Sequence, residues 1–239
     1  MSDYISTATS ADARTRDAAV AVLPVGSFEQ HGDYLPLATD TIVACLIARR
    51  IAEDYRLLLL PPVTISCSHE HASFPGTVSV SAPTLSAIIG DVRESLHARG
   101  IGTLVVVNGH GGNYVLSHVV LQANVTRRCM TLFPVREDWD RARQDAGCAS
   151  STSQDMHAGE LETSLLLHAD PALVRDGYAS SDHLASPRPF LLVTGMAGYT
   201  PSGVIGLPSH GTAGKGKAIL DSLSRSFAAH LDLLTAPPS

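Results

Sequence analysis

Apolar and polar positions along this chain fall into blocks whose period switches between that of a strand and that of a helix. Val20 to Val25 is a short apolar run rich in β-branched residues and closed by Gly26, which predicts a buried strand. Thr39 or Asp40 can cap a helix in which Ile42, Val43, Leu46, Ile47, Ala48 and Ile51 recur at helical spacing through about Tyr55. Leu57 to Val63 is a second apolar run, and Pro61 with Pro62 predicts that it stops there or lies at a sheet edge. Pro83 suits a first helical turn, Leu85, Ile88, Ile89, Val92 and Leu96 supply a stripe, and Gly100 stops it. Thr103 to Val107 is the cleanest strand, followed by a helix-like stretch from Tyr114 to about Arg127 and a further strand at Met130 to Val135.

The remaining blocks are polar or short. Residues 1 to 17 mix Ser, Thr, Ala and charge without a period and predict a flexible start, leaving 18–235 as one domain. Arg136 to Asp155 is polar and reads as a long excursion or lid outside the core. Met156 to His168 is helical in composition, Ser186 to Pro208 is a Pro- and Gly-rich connection, and the walls of a pocket are expected from this connection and the excursion before it. Thr212 can cap a last helix carrying Ile219, Leu220, Leu223, Phe227 and Leu231. Strands alternating with helices predict an α/β fold with a mostly parallel sheet covered on both faces, and ligand sites in such sheets lie beyond the carboxyl ends of strands.

Composition narrows the function. With 239 residues, 44% of them hydrophobic, the chain can bury a sizeable core. Its net charge of −6 and 17 scattered Lys and Arg give no footprint for nucleic acid. No run approaches the roughly 18 apolar residues of a membrane span, and the first residues lack the order of a secretory signal, so a cytoplasmic protein is expected. Cys45, Cys67, Cys129 and Cys148 form no CxxC pair and read as reduced thiols.

Chemistry concentrates at two strand ends. After Val25, Glu29, His31 and Asp40 lie on a loop kept irregular by Gly26, Gly32 and Pro36. After Val107, His110 stands in Asn-Gly-His-Gly-Gly-Asn, where small neighbours let an imidazole project; this run lacks the GxGxxG and GxxxxGK[ST] patterns of phosphate loops. His157, Glu160 and Glu162 lie in Met-His-Ala-Gly-Glu-Leu-Glu-Thr-Ser at the expected head of a helix, and spacing leaves open which glutamate points inward. Such an N/O set without thiolate suits Zn, Mn or Fe in a hydrolytic site, with Asp40 the natural bridge if two ions bind. His69 and His71, on the polar Ser66–Thr77 loop, read as solvated, as does Lys215.

Four motifs in order carry a resemblance: Glu-Gln-His-Gly with Leu-Pro-Leu-Ala-Thr-Asp-Thr, Phe-Pro-Gly-Thr, Asn-Gly-His-Gly-Gly-Asn, and His-Ala-Gly-Glu-Leu-Glu-Thr-Ser. Together they resemble the creatininase family of metal-dependent amidohydrolases. The resemblance implies a three-layer α/β/α domain, two divalent ions per subunit and a homo-oligomer such as a hexamer. It places the metal ligands at Glu29, His31, Asp40, His110 and Glu162, and a proton-donating histidine at His157. Where creatininase has Tyr and a ligating Glu after the motif histidine, this chain has Gly111 and Gly112, which points away from creatinine as substrate. The Gly-Gly form is closer to family members that deformylate a pyrimidine precursor or trim the mycofactocin precursor peptide. The expected reaction is hydrolysis of the amide C–N bond of a lactam, formamide or similar small amide. The alternatives are peptide trimming and, on the same fold, metal-dependent binding without turnover.

Overall fold

The computed structural model describes residues 4–236. In chain order its helices and strands are α1 (Ser10–Arg16), β1 (Val20–Val25), α2 (Thr39–Asp54), β2 (Leu58–Leu59), α3 (Ala82–His97), β3 (Thr103–Asn108), α4 (Val115–Ala123), β4 (Met130–Phe133), α5 (Arg136–Asp145), α6 (Glu160–Ala169), α7 (Leu191–Thr194) and α8 (Ala213–Thr235). The four strands form one parallel sheet in the order β2-β1-β3-β4.

Alternation along the strands builds the two flanking layers. Val20 and Val22 of β1, with Val105 and Val107 of β3, pack into a cluster with α2, α6 and α8. Ala21, Leu23 and Val25, with Leu104 and Val106, face the opposite way onto α3 and α4. Because both faces are covered, all six residues of β1 are buried. β2 lies at the sheet edge, as its following prolines predict, and is only two residues long.

Two departures from the sequence reading stand out. Residues 10–16, expected to be irregular, form α1 with a Thr9–Asp12 capping box; none of its residues is buried, which is why no apolar period announced it. Residues 136–145, expected outside the core, form α5 against α8 with Ala142 fully buried. Its other buried positions are polar and paired: Asp138 accepts from His230 Nε2 at 2.9 Å and Arg143 Nη1 donates to Asp155 at 2.7 Å.

The topology brings two loops together. Val25 is the register partner of Asn108, so the segments leaving β1 and β3 start side by side at the carboxyl edge of the sheet. α2 follows β1 onto one face and α4 follows β3 onto the other, and a crevice opens where such connections diverge.

Candidate metal centre

Close backbone approaches set the floor of the site. Gly26 runs against the Thr41 backbone, where a Cβ would overlap it, and Gly109 lies equally close to the Asp40 carbonyl. Both loops are thereby pressed onto the first turn of α2, which carries Asp40. The Asp40 carboxylate stands between two imidazoles, Oδ1 at 3.1 Å from His31 Nε2 and Oδ2 at 3.0 Å from His110 Nδ1, while Oδ2 also accepts from Ser27 Oγ at 2.6 Å.

Glu29 lies alongside. Its Oε1 is 3.2 Å from His110 Nδ1, 3.2 Å from His71 Nε2 and 3.7 Å from His157 Nδ1. Glu162 completes the group, with Oε2 4.0 Å from His31 Nε2 and accepting from Ala158 N at 2.6 Å. The outer ring nitrogens are anchored to main-chain carbonyls: His31 Nδ1 to Glu29 at 3.0 Å, His110 Nε2 to Cys67 at 2.9 Å, His157 Nε2 to Gln30 at 2.6 Å. Each anchor leaves the other nitrogen facing the carboxylates, the arrangement that prepares a histidine to ligate.

The electrostatics call for a cation. Glu29, Asp40 and Glu162 share this buried space, and the cationic partners drawn to them among the described residues are histidines. Burial alone would lower His31, but Asp40, Glu162 and Glu29 outweigh it and raise its pKa to about 9. Burial is likewise overcome at His110, which Glu29 and Asp40 lift well above the usual histidine range. Asp40 is held well below the usual carboxylate range, its burial outweighed by His31 and His110. Burial, with Asp40 and Asp155 nearby, pushes Glu162 up to about 7 against the pull of His31. Burial and the neighbouring His31 and His71 drive His157 well below its ordinary value and keep it neutral. Protons on His31 and His110 therefore stand where a metal's charge would serve.

The donor set fits a divalent ion. Both carboxylate oxygens of Glu29 are buried without a hydrogen-bond partner among the described residues, a cost that coordination removes. Three groups bring their ligand atoms within 4.8 Å of one another: Glu29, Asp40 and His110; His31, Asp40 and Glu162; and Glu29, His31 and His157. Asp40 belongs to the first two, as a bridging carboxylate would. Beside them lies a cleft of about 270 Å³ lined by His110, His157 and Glu162 together with Trp139, Thr152 and Met156.

The creatinine amidohydrolase (creatininase) family model matches residues 6–231 of the chain. A mycofactocin precursor peptide peptidase of Mycobacterium ulcerans (strain Agy99) is 37% identical over 213 residues, covering 83% of this chain and 78% of that protein. The chain belongs to the creatininase family. The creatinine amidohydrolase of Pseudomonas putida is 28% identical over 171 residues, covering 65% of this chain and 66% of the other. A manganese creatininase superposes with a TM-score of 0.81 at 22% identity, covering 99% of this chain and 100% of that one, which bears out the three-layer α/β fold. The chain is accordingly a hydrolase acting on carbon–nitrogen amide bonds.

All six residues that the creatininase resemblance singled out, Glu29, His31, Asp40, His110, His157 and Glu162, meet in one cluster. Four details differ from the sequence reading. His157 is not on the helix: it pairs in extended conformation with Ile205, donating to and accepting from its backbone at 2.9 and 3.0 Å, and α6 starts only at Glu160. Asp155 sets that start by accepting from Glu160 N at 2.6 Å and Leu161 N at 3.0 Å. Glu160, one of the two glutamates left open by spacing, is occupied elsewhere by Ser150, the Ala149 backbone and Lys215 Nζ, the last at 2.6 Å, so Lys215 is not the solvated group expected. His71 is 2% exposed inside the cluster rather than solvated; its adjacency to Phe-Pro-Gly-Thr was the one available signal. Of the two expected wall segments, 136–155 contributes to the cleft and 186–208 does not.

Proposed function

We propose that this creatininase-family protein hydrolyses the amide C–N bond of a small amide or short peptide with a metal-activated water. In this reading Glu29, Asp40 and His110 hold one divalent ion, His31, Asp40 and Glu162 hold a second, and Zn, Mn or Fe suits the set. The observation that carries it is Asp40, buried with one oxygen beside His31 and the other beside His110. Divalent ions bound there supply an acidified water and polarise the substrate carbonyl.

The chain's own groups do the rest. His157, neutral and tied at Nε2 to the Gln30 carbonyl, faces the site with Nδ1. It takes the proton of the attacking water at Nδ1 and delivers it to the departing nitrogen, a role worth on the order of 10²–10⁴ in rate. Trp139 and Met156 form apolar wall and exclude water from the bond under attack. The higher identity to the mycobacterial peptidase than to creatinine amidohydrolase favours a second reading, trimming of a short peptide precursor. Either reading extends to a cytoplasmic homo-oligomer without nucleic-acid or membrane partners.

His110→Ala tests the assignment against lactams, formamides and short peptides. Metal content and hydrolysis should fall together. A variant that keeps its metal and full activity would sink the assignment, whereas wild-type protein that binds metal and cuts none of these amides would favour a binding protein on the same fold.

A further inference from the structure

Gln30 has no part in the metal reading, yet it touches both histidines that stand over Glu29. Two backbone groups orient its side-chain amide: Oε1 accepts from Gly32 N at 2.9 Å, and Nε2 donates to Gly203 O at 3.1 Å. The reversed amide would set oxygen against the Gly203 carbonyl and hydrogen against the Gly32 N–H, so two contacts fix the orientation. Gly203, at φ +83°, lies so close that any Cβ there would overlap the amide.

The other hydrogen of Gln30 Nε2 points at His71 Nδ1, 2.9 Å away, which must accept it. A neutral imidazole carries its single hydrogen on the remaining nitrogen. His71 therefore turns Nε2–H towards the cluster. The main-chain carbonyl of the same Gln30 fixes His157 in the opposite sense, taking Nε2–H at 2.6 Å and leaving the Nδ1 lone pair inward. One residue thus holds two adjacent histidines, with ring centroids 4.4 Å apart, in the same Nε2–H tautomer but turned oppositely, His71 presenting an N–H to the cluster and His157 a lone pair.

We propose that His71 is the hydrogen-bond donor of the site, presenting Nε2–H to the carbonyl oxygen of the amide being cut, and that Gln30 is the positioning residue that keeps it in that tautomer. The inference rests on the amide-hydrolase reading above. His71 is no metal ligand, because the nitrogen facing the cluster carries a hydrogen. Nor is that hydrogen taken up by Glu29: the nitrogen is 3.2 Å from Oε1, yet neither Glu29 oxygen has a hydrogen-bond partner among the described residues. The N–H makes no hydrogen bond to the carboxylate and is left for another acceptor. A fixed, uncharged donor beside developing negative charge lowers the barrier without reorganisation.

Long-range ¹H–¹⁵N spectra of the imidazoles in the full chain read the tautomers directly and need no substrate. The expected result is Nε2–H at both His71 and His157, with Gln30→Glu, which offers an acceptor to Nδ1, switching His71 alone to Nδ1–H. His71→Leu should keep its metal and lose about 10²–10³-fold in kcat, the usual effect of removing one donor to an oxyanion, and His71→Gln, which retains an N–H, should recover part of the loss. Nδ1–H at His71 in the wild type, loss of metal in folded His71→Leu, or unchanged kcat would overturn the proposal. A wild-type protein showing the expected tautomers but cutting no amide would refute the amide-hydrolase reading and, with it, the acceptor assigned to His71, while the lock by Gln30 would stand.

Discussion

Gly111 and Gly112 follow His110 and look interchangeable in the sequence, but their surroundings differ completely. A Cβ at Gly112 would overlap Glu70 Oε1 and His110 Nε2, while one at Gly111 would meet nothing within 4 Å. Gly112→Ala must therefore push Glu70 or turn His110, at a cost of roughly 1–3 kcal/mol, the range for overpacking a filled space. Denaturant unfolding and metal analysis should show lower stability and weakened metal retention for Gly112→Ala and near-wild-type behaviour for Gly111→Ala; equal behaviour would contradict the crowding. At this scale the ligands were legible because Glu29, His31 and Asp40 sit within one motif and His110 within another. His71 and Gln30 were not, because they meet only when the 66–77 loop folds against residues 28–30 of the loop that follows β1, a tertiary event with no local period.

α6 shows how an element can be misplaced by composition. Met156 to His168 reads as helical, but Arg143 holds Asp155, Asp155 caps the chain at Glu160, and the residues before it are drawn into the pairing with Ile205. α5 was missed for a related reason, since its inward positions are polar residues satisfied by distant partners. Glu160 joins α6 to α8 through Lys215 and to residues 149–150, and its titration should be visible in stability. Burial would raise its pKa, but Lys215, Ser150 and two backbone N–H groups lower it from 4.5 to about 2. A depressed carboxylate stabilises the fold fully above its unfolded pKa and loses that contribution as pH falls towards the folded value. The contribution is on the order of 3 kcal/mol at neutral pH. Unfolding free energies of wild type and Glu160→Gln should differ most near neutrality and converge as pH falls from 4.5 towards 2; a gap independent of pH would contradict the assignment.

For the molecule as a whole, the order of the four strands and of α2, α3, α4, α6 and α8 was readable because hydrophobic periodicity is local, and the parallel sheet with its site at the carboxyl edge follows from that order. Convergence of three distant segments on Asp40 was not readable from periodicity; it came from the motifs and is realised by the pairing of Val25 with Asn108. Among the described residues no helix is long and apolar enough to cross a membrane. What unites the residues, elements and fold is a buried carboxylate–histidine cluster whose charge is balanced only by protons or by cations. The most direct test is a metal titration of the chelator-stripped full chain, with Mn²⁺ or Zn²⁺ added in known equivalents while hydrolysis of a cleavable amide is followed. The rate should start near zero, rise with added ion and saturate at stoichiometric metal, and it should stay flat in Asp40→Asn. Hydrolysis that persists in the stripped protein, or that ignores the loss of Asp40, would contradict the account.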